Sequence, residues 1–265
     1  MTYGKVSLVG AGPGHPDLLT MRAYRTLQQA DVVFYDALLS EDFLSVIPTG
    51  IPRFHVGKRC SHHTVPQREI EDLLVRWAKK GQHVVRLKGG DPFIFGRGGE
   101  ELTACLKAQI PCEIVPGLSS LNGVASSIAL PLTHREMVRK VMVIEGHTLG
   151  QDSKDWQQLA QFEGTLVIFM GSRKTSLIAE KLIEHGLSRT TPMAMVESDS
   201  KMQPHAQVRT LEDVISYGMP KAIDGPGIIY IGPTVDLFLQ WQASQQVEGA
   251  ITLTPFISPD QRMKA

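Results

Sequence analysis

The apolar positions fall into short β-branched runs that alternate with stretches of helical period. Lys5–Val9 reads as a strand, followed by Gly10-Ala11-Gly12-Pro13-Gly14 and a helix from Thr20, a favourable N-cap, to Gln29. Asp31–Tyr35 is a second strand with Asp36 at its carboxyl end, and Arg53–Val56 a third, ending at Gly57-Lys58-Arg59. Thr64-x-x-Gln67 resembles a capping box with Pro66 inside the first turn. Ile70, Leu73, Leu74 and Trp77 then recur at i, i+3, i+4 and i+7, and Gly81 stops that helix. Strand Val84–Leu87, a helix over Gly99–Ala108 and strand Glu113–Val115 follow.

Ser119–Ala129 is small, weakly polar and helical in pattern, and Pro131-Leu132-Thr133-His134-Arg135 breaks it. The alternation then restarts with strands at Val141–Ile144, Thr165–Met170, Met193–Val196 and Gly227–Ile231. Helices fall at Trp156–Phe162, Thr175–His185 and Leu211–Tyr217. Strands alternating with helices predict an α/β fold of two domains, each a mostly parallel sheet flanked by helices. The expected boundaries are 1–116, a linker helix region 117–136, 137–245 and a loosely packed tail 246–265. Ligands of such sheets collect at the carboxyl ends of strands. Pro13, Asp36, Lys58, the 88–99 loop and Pro116-Gly117 all fall there.

Composition narrows the function. The 265 residues carry 27 Lys plus Arg against 27 Asp plus Glu, so nothing global attracts nucleic acid or an anionic membrane. Three cysteines without metal spacing or pairing argue for a reducing compartment. No segment approaches the ~18 apolar residues of a membrane helix, and the N-terminus lacks a signal-peptide core. A cytoplasmic protein is expected.

The densest signal is Val84–Glu101, VVRLKGGDPFIFGRGGEE. Gly89, Gly90, Gly96, Gly98 and Gly99 specify backbone that another molecule can approach. Charges interleaved with Phe93, Ile94 and Phe95 suit a pocket with apolar walls and a few aimed polar groups. Gly10-x-Gly12 with Asp36 downstream imitates a dinucleotide fingerprint. It fails in detail: His15 stands at the third glycine position, and Pro13 removes a backbone donor from the loop that would cradle a pyrophosphate. Adjacent His62-His63 reads as polar loop, and no metal site is expected. No nucleophile elbow, Walker loop, HExxH or CxxC is present. What remains suits a reaction whose reactive group arrives with a cofactor.

The segments VGAGPGHPDLLT, DVVFYD, VGKR, VPQREI, VVRLKGGDPFIFGRGGEE, VPGLSS, PLTHR and FMG occur in the order seen in uroporphyrinogen-III C-methyltransferases. Over residues 3–240 the chain resembles that branch of the tetrapyrrole (precorrin-like) methylases, in its stand-alone form. The resemblance implies a two-domain fold with the active site in the cleft between the domains, and a homodimer. It implies S-adenosylmethionine as methyl donor, S-adenosylhomocysteine as product and uroporphyrinogen III as substrate, methylated at C2 and C7 to precorrin-2.

By the same resemblance Asp36 is the proton acceptor, Lys58 the proton donor, and Arg97 with Glu100 a rival acid–base or substrate-binding pair. The implied cofactor shell is Pro13, Gly89, Gly90, Asp91, Ile94, Ser119, Ser120, Met170, Asp199 and Gly227. Asp91 would receive the cofactor's ammonium or a ribose hydroxyl. A polycarboxylate substrate needs local cations, and Arg97, Arg135, Lys58 and Arg59 are the candidates. Ser119-Ser120, Glu145 and Asp199 depart from the family pattern. At Asp199, where the family often has glycine, a Cβ is expected to make the backbone less comfortable.

Overall fold

A computed structural model of the chain describes residues 3–36, 39, 41–57, 65–151, 154–199, 203–220 and 226–247. The first lobe contains β1 (Lys5–Gly10), α1 (Met21–Leu27), β2 (Val32–Tyr35), α2 (Glu41–Leu44), β3 (Arg53–His55), α3 (Gln67–Lys79), β4 (His83–Lys88), α4 (Gly98–Lys107) and β5 (Cys112–Val115). After α5 (Ser120–Ser127) come β6 (Val141–Glu145), α6 (Trp156–Ala160), β7 (Thr165–Phe169), α7 (Thr175–Glu184), β8 (Pro192–Ser198), β9 (Pro204–Thr210), α8 (Leu211–Tyr217), β10 (Gly227–Ile231) and α9 (Thr234–Val247).

The first sheet has the order β3-β2-β4-β1-β5 and is parallel throughout. Its inner strands β1, β2 and β4 are mostly apolar on both faces because helices cover both. Val9, Val33, Val85 and Leu87 pack with Ala23 and Leu27 of α1 and Phe43 of α2. Val6, Leu8, Val32, Phe34 and Val84 pack with Ile70, Leu74 and Ala78 of α3 and Cys105 of α4. Each such buried aliphatic side chain contributes roughly 1.5–3 kcal/mol by leaving water. Thr20 caps α1 as its residue type dictates, its side chain accepting from the Ala23 amide. For α3 the helix starts later than the expected box implies, at Gln67. Pro66 is itself the N-cap, without a side-chain bond, and Thr64 lies outside the described residues.

The second sheet has the order β6-β7-β10-β8-β9. Here the expectation of a mostly parallel sheet needs correction. Only β6 and β7 run parallel, while β10 is antiparallel to both β7 and β8, and β8 to β9. The unread strand β9 forms a hairpin with β8, which reverses the chain without a crossover helix. One face packs on α6, α7 and α8 through Trp156, Ile178, Leu182, Leu211 and Val214. The other packs on α5 and α9 through Val124, Ala125, Ile128, Val235 and Phe238. Thus α5, which follows the last strand of the first sheet, is built into the core of the second.

Candidate functional site

Three chain crossings at the carboxyl ends of the first sheet approach each other main chain to main chain. Gly12 and Gly90 form an isolated antiparallel bridge, with Gly90 N donating to Gly12 O at 2.7 Å and Gly12 N to Gly90 O at 3.1 Å. Both adopt left-handed φ, 78° and 69°, which glycine reaches at little cost. Gly10 leaves no room for a side chain: a Cβ there would stand 2.6 Å from Gly117 Cα and 2.7 Å from Gly90 O.

This glycine knot floors a cleft of about 920 Å³, including its open mouth. Gly12, Pro13, Gly89, Gly90, Ile94, Phe95 and Gly96 line it from the first lobe. Ser119, Ser120 and Val124 of the α5 region line it next. Phe169, Met170, Val196, Ser198, Pro226, Gly227 and Ile228 line it from the second sheet. The walls are apolar and the polar groups are mostly main chain and serine, the mix of a small-molecule site. Phe95 meets Phe169 across the cleft with ring centroids 5.0 Å apart. Phe95, Arg97 and Met170 hold left-handed φ of 53°, 59° and 54°, strain of a kind concentrated at functional sites. Ser119 caps α5 by accepting from Leu121 N at 3.2 Å. The Tyr230 hydroxyl of β10 donates to Ser120 O at 3.1 Å and Leu121 O at 3.3 Å. Burial pushes that phenol's pKa well up.

Beside the floor lies a buried ionic cluster. Arg86 and Lys88 in β4 and Glu101 in α4 are 3%, 2% and 0% exposed. Arg86 Nε donates to Glu101 Oε1 at 3.0 Å and Lys88 Nζ to Glu101 Oε2 at 2.9 Å. The same guanidinium donates to Asp36 at the end of β2. Burial opposes the Arg86 charge, but Asp36 and Glu101 outweigh it and raise its pKa. Burial, with Arg86 adding to it, lowers that of Lys88 despite Glu101. Stripping one partner from such a cluster leaves a buried unpaired charge, at a cost of about 3–5 kcal/mol.

Of the residues expected in the cofactor shell, Pro13, Gly89, Gly90, Ile94, Ser119, Ser120, Met170 and Gly227 line the cleft. Asp91 does not. Its carboxylate accepts from Phe93 N at 2.9 Å and Gly117 N at 3.2 Å, so it shapes the floor from beneath. Asp199 is also outside the lining. It closes the β8–β9 hairpin, accepting from Gln203 N at 2.9 Å and meeting His205 Nε2 at 3.2 Å. Nor is it among the residues with left-handed φ, so the expected discomfort there is absent.

Arg97 pairs with Glu100 at 3.0 Å in the open, and that bond, against a small cost of burial, lowers the Glu100 pKa. Arg135 is exposed on the turn bridged by His134 and Val138. Lys58, Arg59, His62 and His63 lie outside the described residues. Among the described residues no cluster of His, Cys, Asp or Glu is arranged to hold a metal ion, and no helix is long and apolar enough to cross a membrane. Gly12, Phe95 and Gly96, from the glycine-rich stretches, also line the cleft, while sequence reasoning missed Val124, Phe169, Val196, Ser198, Pro226 and Ile228. Strand alternation would have found Val196 and Ser198, which share a face of β8.

The chain matches the family model for tetrapyrrole (corrin/porphyrin) methylases over residues 5–214. It is similar to a uroporphyrin-III C-methyl transferase of Thermus thermophilus solved with S-adenyl homocysteine, at 37% identity and TM-score 0.74, over 88% of this chain and 100% of that one. A cobalt precorrin-4 methyltransferase structure is similar at 26% identity and TM-score 0.73, over 88% of this chain and 96% of that one. Siroheme synthase 1 of Pectobacterium atrosepticum is 45% identical over 89% of this chain and 49% of its own length. Siroheme synthase 2 of Cronobacter sakazakii is 42% identical over 91% of this chain and 53% of its own length. The chain therefore spans about half the length of the curated relatives it matches.

Proposed function

The chain belongs to the tetrapyrrole (corrin/porphyrin) methylase family, and from that premise we propose that it is an S-adenosylmethionine-dependent C-methyltransferase. Its substrate in this reading is uroporphyrinogen III, methylated at C2 and C7 to precorrin-2, a precursor of sirohaem, cobalamin and haem d1. The carrying observation is the apolar cleft floored by the Gly12–Gly90 bridge, in a chain similar along its length to a methyltransferase solved with S-adenyl homocysteine.

The lining fits a nucleoside-bearing amino acid: bare main chain at Gly89 and Gly90, hydroxyls at Ser119 and Ser120, and apolar walls from Ile94, Met170 and Ile228. The cofactor, when bound, supplies a methyl group activated by a sulfonium. This chain's part is to hold donor and acceptor in near-attack geometry, which supplies most of the rate. A pyrrole carbon gives the electron pair for the new C–C bond, and the S–C pair stays on sulfur. The ring cation is then neutralised when a proton leaves the adjacent methylene bridge, its C–H pair returning to the ring. In this reading Asp36 accepts that proton and Lys58 is a proton donor. Arg97, Arg135, Lys58 and Arg59 serve the substrate's carboxylates, and Glu100 acts with Arg97 as an acid–base or substrate-binding pair.

Lobes of residues 1–116 and 137–245 flank the 117–136 connection in the same proposal, which also covers a homodimer acting in the cytoplasm. Anaerobic incubation with uroporphyrinogen III and methyl-labelled cofactor is the test. Label in the macrocycle is expected; a macrocycle free of label refutes the reading. Binding of NAD instead of S-adenosylhomocysteine points to the oxidoreductase that Gly10-x-Gly12 imitates.

A further inference from the structure

A charged residue in the middle of a fully covered parallel strand is costly unless its charge is used. Arg86 is such a residue, and every nitrogen of its guanidinium is engaged. Nε donates to Glu101 Oε1 at 3.0 Å. NH1 donates to Phe34 O at 3.4 Å and Leu87 O at 3.2 Å, and NH2 donates to Asp36 Oδ1. The fork cannot rotate without breaking several bonds at once. Behind it, Glu101 is clamped on both oxygens, by Lys88 Nζ at 2.9 Å and Gln67 Nε2 at 3.3 Å. At its other end, the Asp36 carboxylate is 25% exposed. The Asp36 amide donates to Leu87 O at 3.3 Å, so main chain and side chain are both tied to β4.

We propose that Glu101 and Arg86 are positioning residues: interior Glu101 locks the guanidinium, and the guanidinium aims the Asp36 carboxylate from the end of β2 toward the substrate at the cleft. This rests on the reading of Asp36 as the proton acceptor. Two features separate the arrangement from a merely structural ion pair. The cluster does not close within the interior: the carboxylate that balances its second cation is Asp36, a quarter exposed at the end of β2. The strand that carries Arg86 runs directly into the floor glycines Gly89 and Gly90, and β2 is its immediate neighbour in the sheet, about 4.8 Å away. The same β4 backbone thus fixes donor site and base relative to each other. Two cations and two carboxylates balance across the cluster, so no charge is left over in the interior.

The test uses Glu101→Gln, Arg86→Lys and Leu182→Ala in the full chain. Glu101→Gln keeps the shape and weakens the lock; Arg86→Lys loses the fork. Leu182→Ala opens a cavity in the core of the second sheet, where no member of the cluster packs, and so lowers stability without touching the lock. Melting temperature, S-adenosylhomocysteine affinity, kcat and KM for uroporphyrinogen III are read for each. A deuterium isotope effect is read with substrate labelled at the methylene bridges. Glu101→Gln and Arg86→Lys are expected to lose kcat by ~30-fold or more, within the range of a misplaced general base. Their S-adenosylhomocysteine affinity should stay within about two-fold, and their isotope effect should grow as proton removal becomes limiting. Leu182→Ala should melt lower yet keep kcat within about three-fold.

Wild-type kcat in Glu101→Gln and Arg86→Lys overturns the proposal. So does a kcat loss that tracks melting temperature across all three variants, which marks the cluster as structural only. A wild-type protein that transfers no label overturns the methyltransferase reading and this proposal with it. Labelling by wild type together with full activity in Asp36→Asn overturns the base assignment, and the proposal falls while the methyltransferase reading stands.

Discussion

Gly10→Ala is the sharpest probe of the floor. Its Cβ would meet Gly117 Cα and N at 2.6 Å and Gly90 O at 2.7 Å, all main-chain atoms that cannot rotate aside. Reaching an ordinary contact near 3.4 Å requires the loops after β4 and β5 to part by roughly 0.8 Å. Gly10 is not among the glycines with left-handed φ, so alanine suffers no intrinsic backbone penalty and the whole effect is crowding. Overpacking of this kind costs about 1–3 kcal/mol. For a chain of this size that lowers the melting temperature by roughly 2–12 °C. Because Gly90 borders the cleft, the same displacement misaligns donor and acceptor, and ~1 Å of misplacement costs on the order of 100-fold in rate. Calorimetric titration with S-adenosylhomocysteine and a thermal melt read both effects. Gly99→Ala is the comparator, since nothing lies within 4 Å of its added Cβ; it should be neutral or slightly stabilising. If Gly10→Ala melts with wild type and binds S-adenosylhomocysteine equally well, the interlocked floor does not exist as described.

Arg97→Ala should cut turnover sharply while leaving the melting temperature nearly unchanged, because the guanidinium is 56% exposed and its bond is to the similarly open Glu100; a parallel fall in both would make the arginine structural. Tyr230→Phe removes the hydroxyl that holds Ser120 O and Leu121 O, and should cost about 1 kcal/mol of stability and weaken S-adenosylhomocysteine binding; unchanged affinity in titration would uncouple β10 from the α5 end of the cleft. His83 lies between the Gln29 carbonyl, 2.8 Å from Nδ1, and the Ser7 hydroxyl, 2.9 Å from Nε2, and burial lowers its pKa below 6.5. Below 6.5 and down to the folded value the unfolded chain binds a proton that the folded chain does not. Stability is therefore lost as pH falls through that window, and urea midpoints at pH 5 and pH 7.5 should differ less in His83→Gln than in wild type; equal differences would exclude His83 as the cause.

The floor was legible in the sequence because its requirement is local. Gly89-Gly90 and Gly10-x-Gly12 announce bare backbone at strand ends whatever the partner. Ser119 and Met170 followed from the resemblance and from the strand-end rule. What was illegible depends on partners distant in sequence. Asp91 and Asp199 read as ligand-binding carboxylates, and nothing nearby in the sequence shows that they also accept from the Gly117 and Gln203 amides. Arg86 and Glu101 lie 15 residues apart, and periodicity cannot tell a lone charge in a strand from half of a pair. The direction of the second sheet was hidden for a similar reason. PHAQVRT begins with proline and is half-exposed in β9, so it carries little of the alternation that marks a strand. Without it the hairpin that reverses the chain could not be seen.

The cradle's construction governs how this protein can change. A seat made of peptide groups presents the same donors and acceptors whichever side chains surround it, so substitutions can do little there except obstruct. The surface is another matter, since Arg97, Glu100 and Arg135 stand exposed and each can be exchanged without disturbing the interior. One frame can thus keep its methyl donor fixed while drifting among ring-shaped acceptors of different charge and outline.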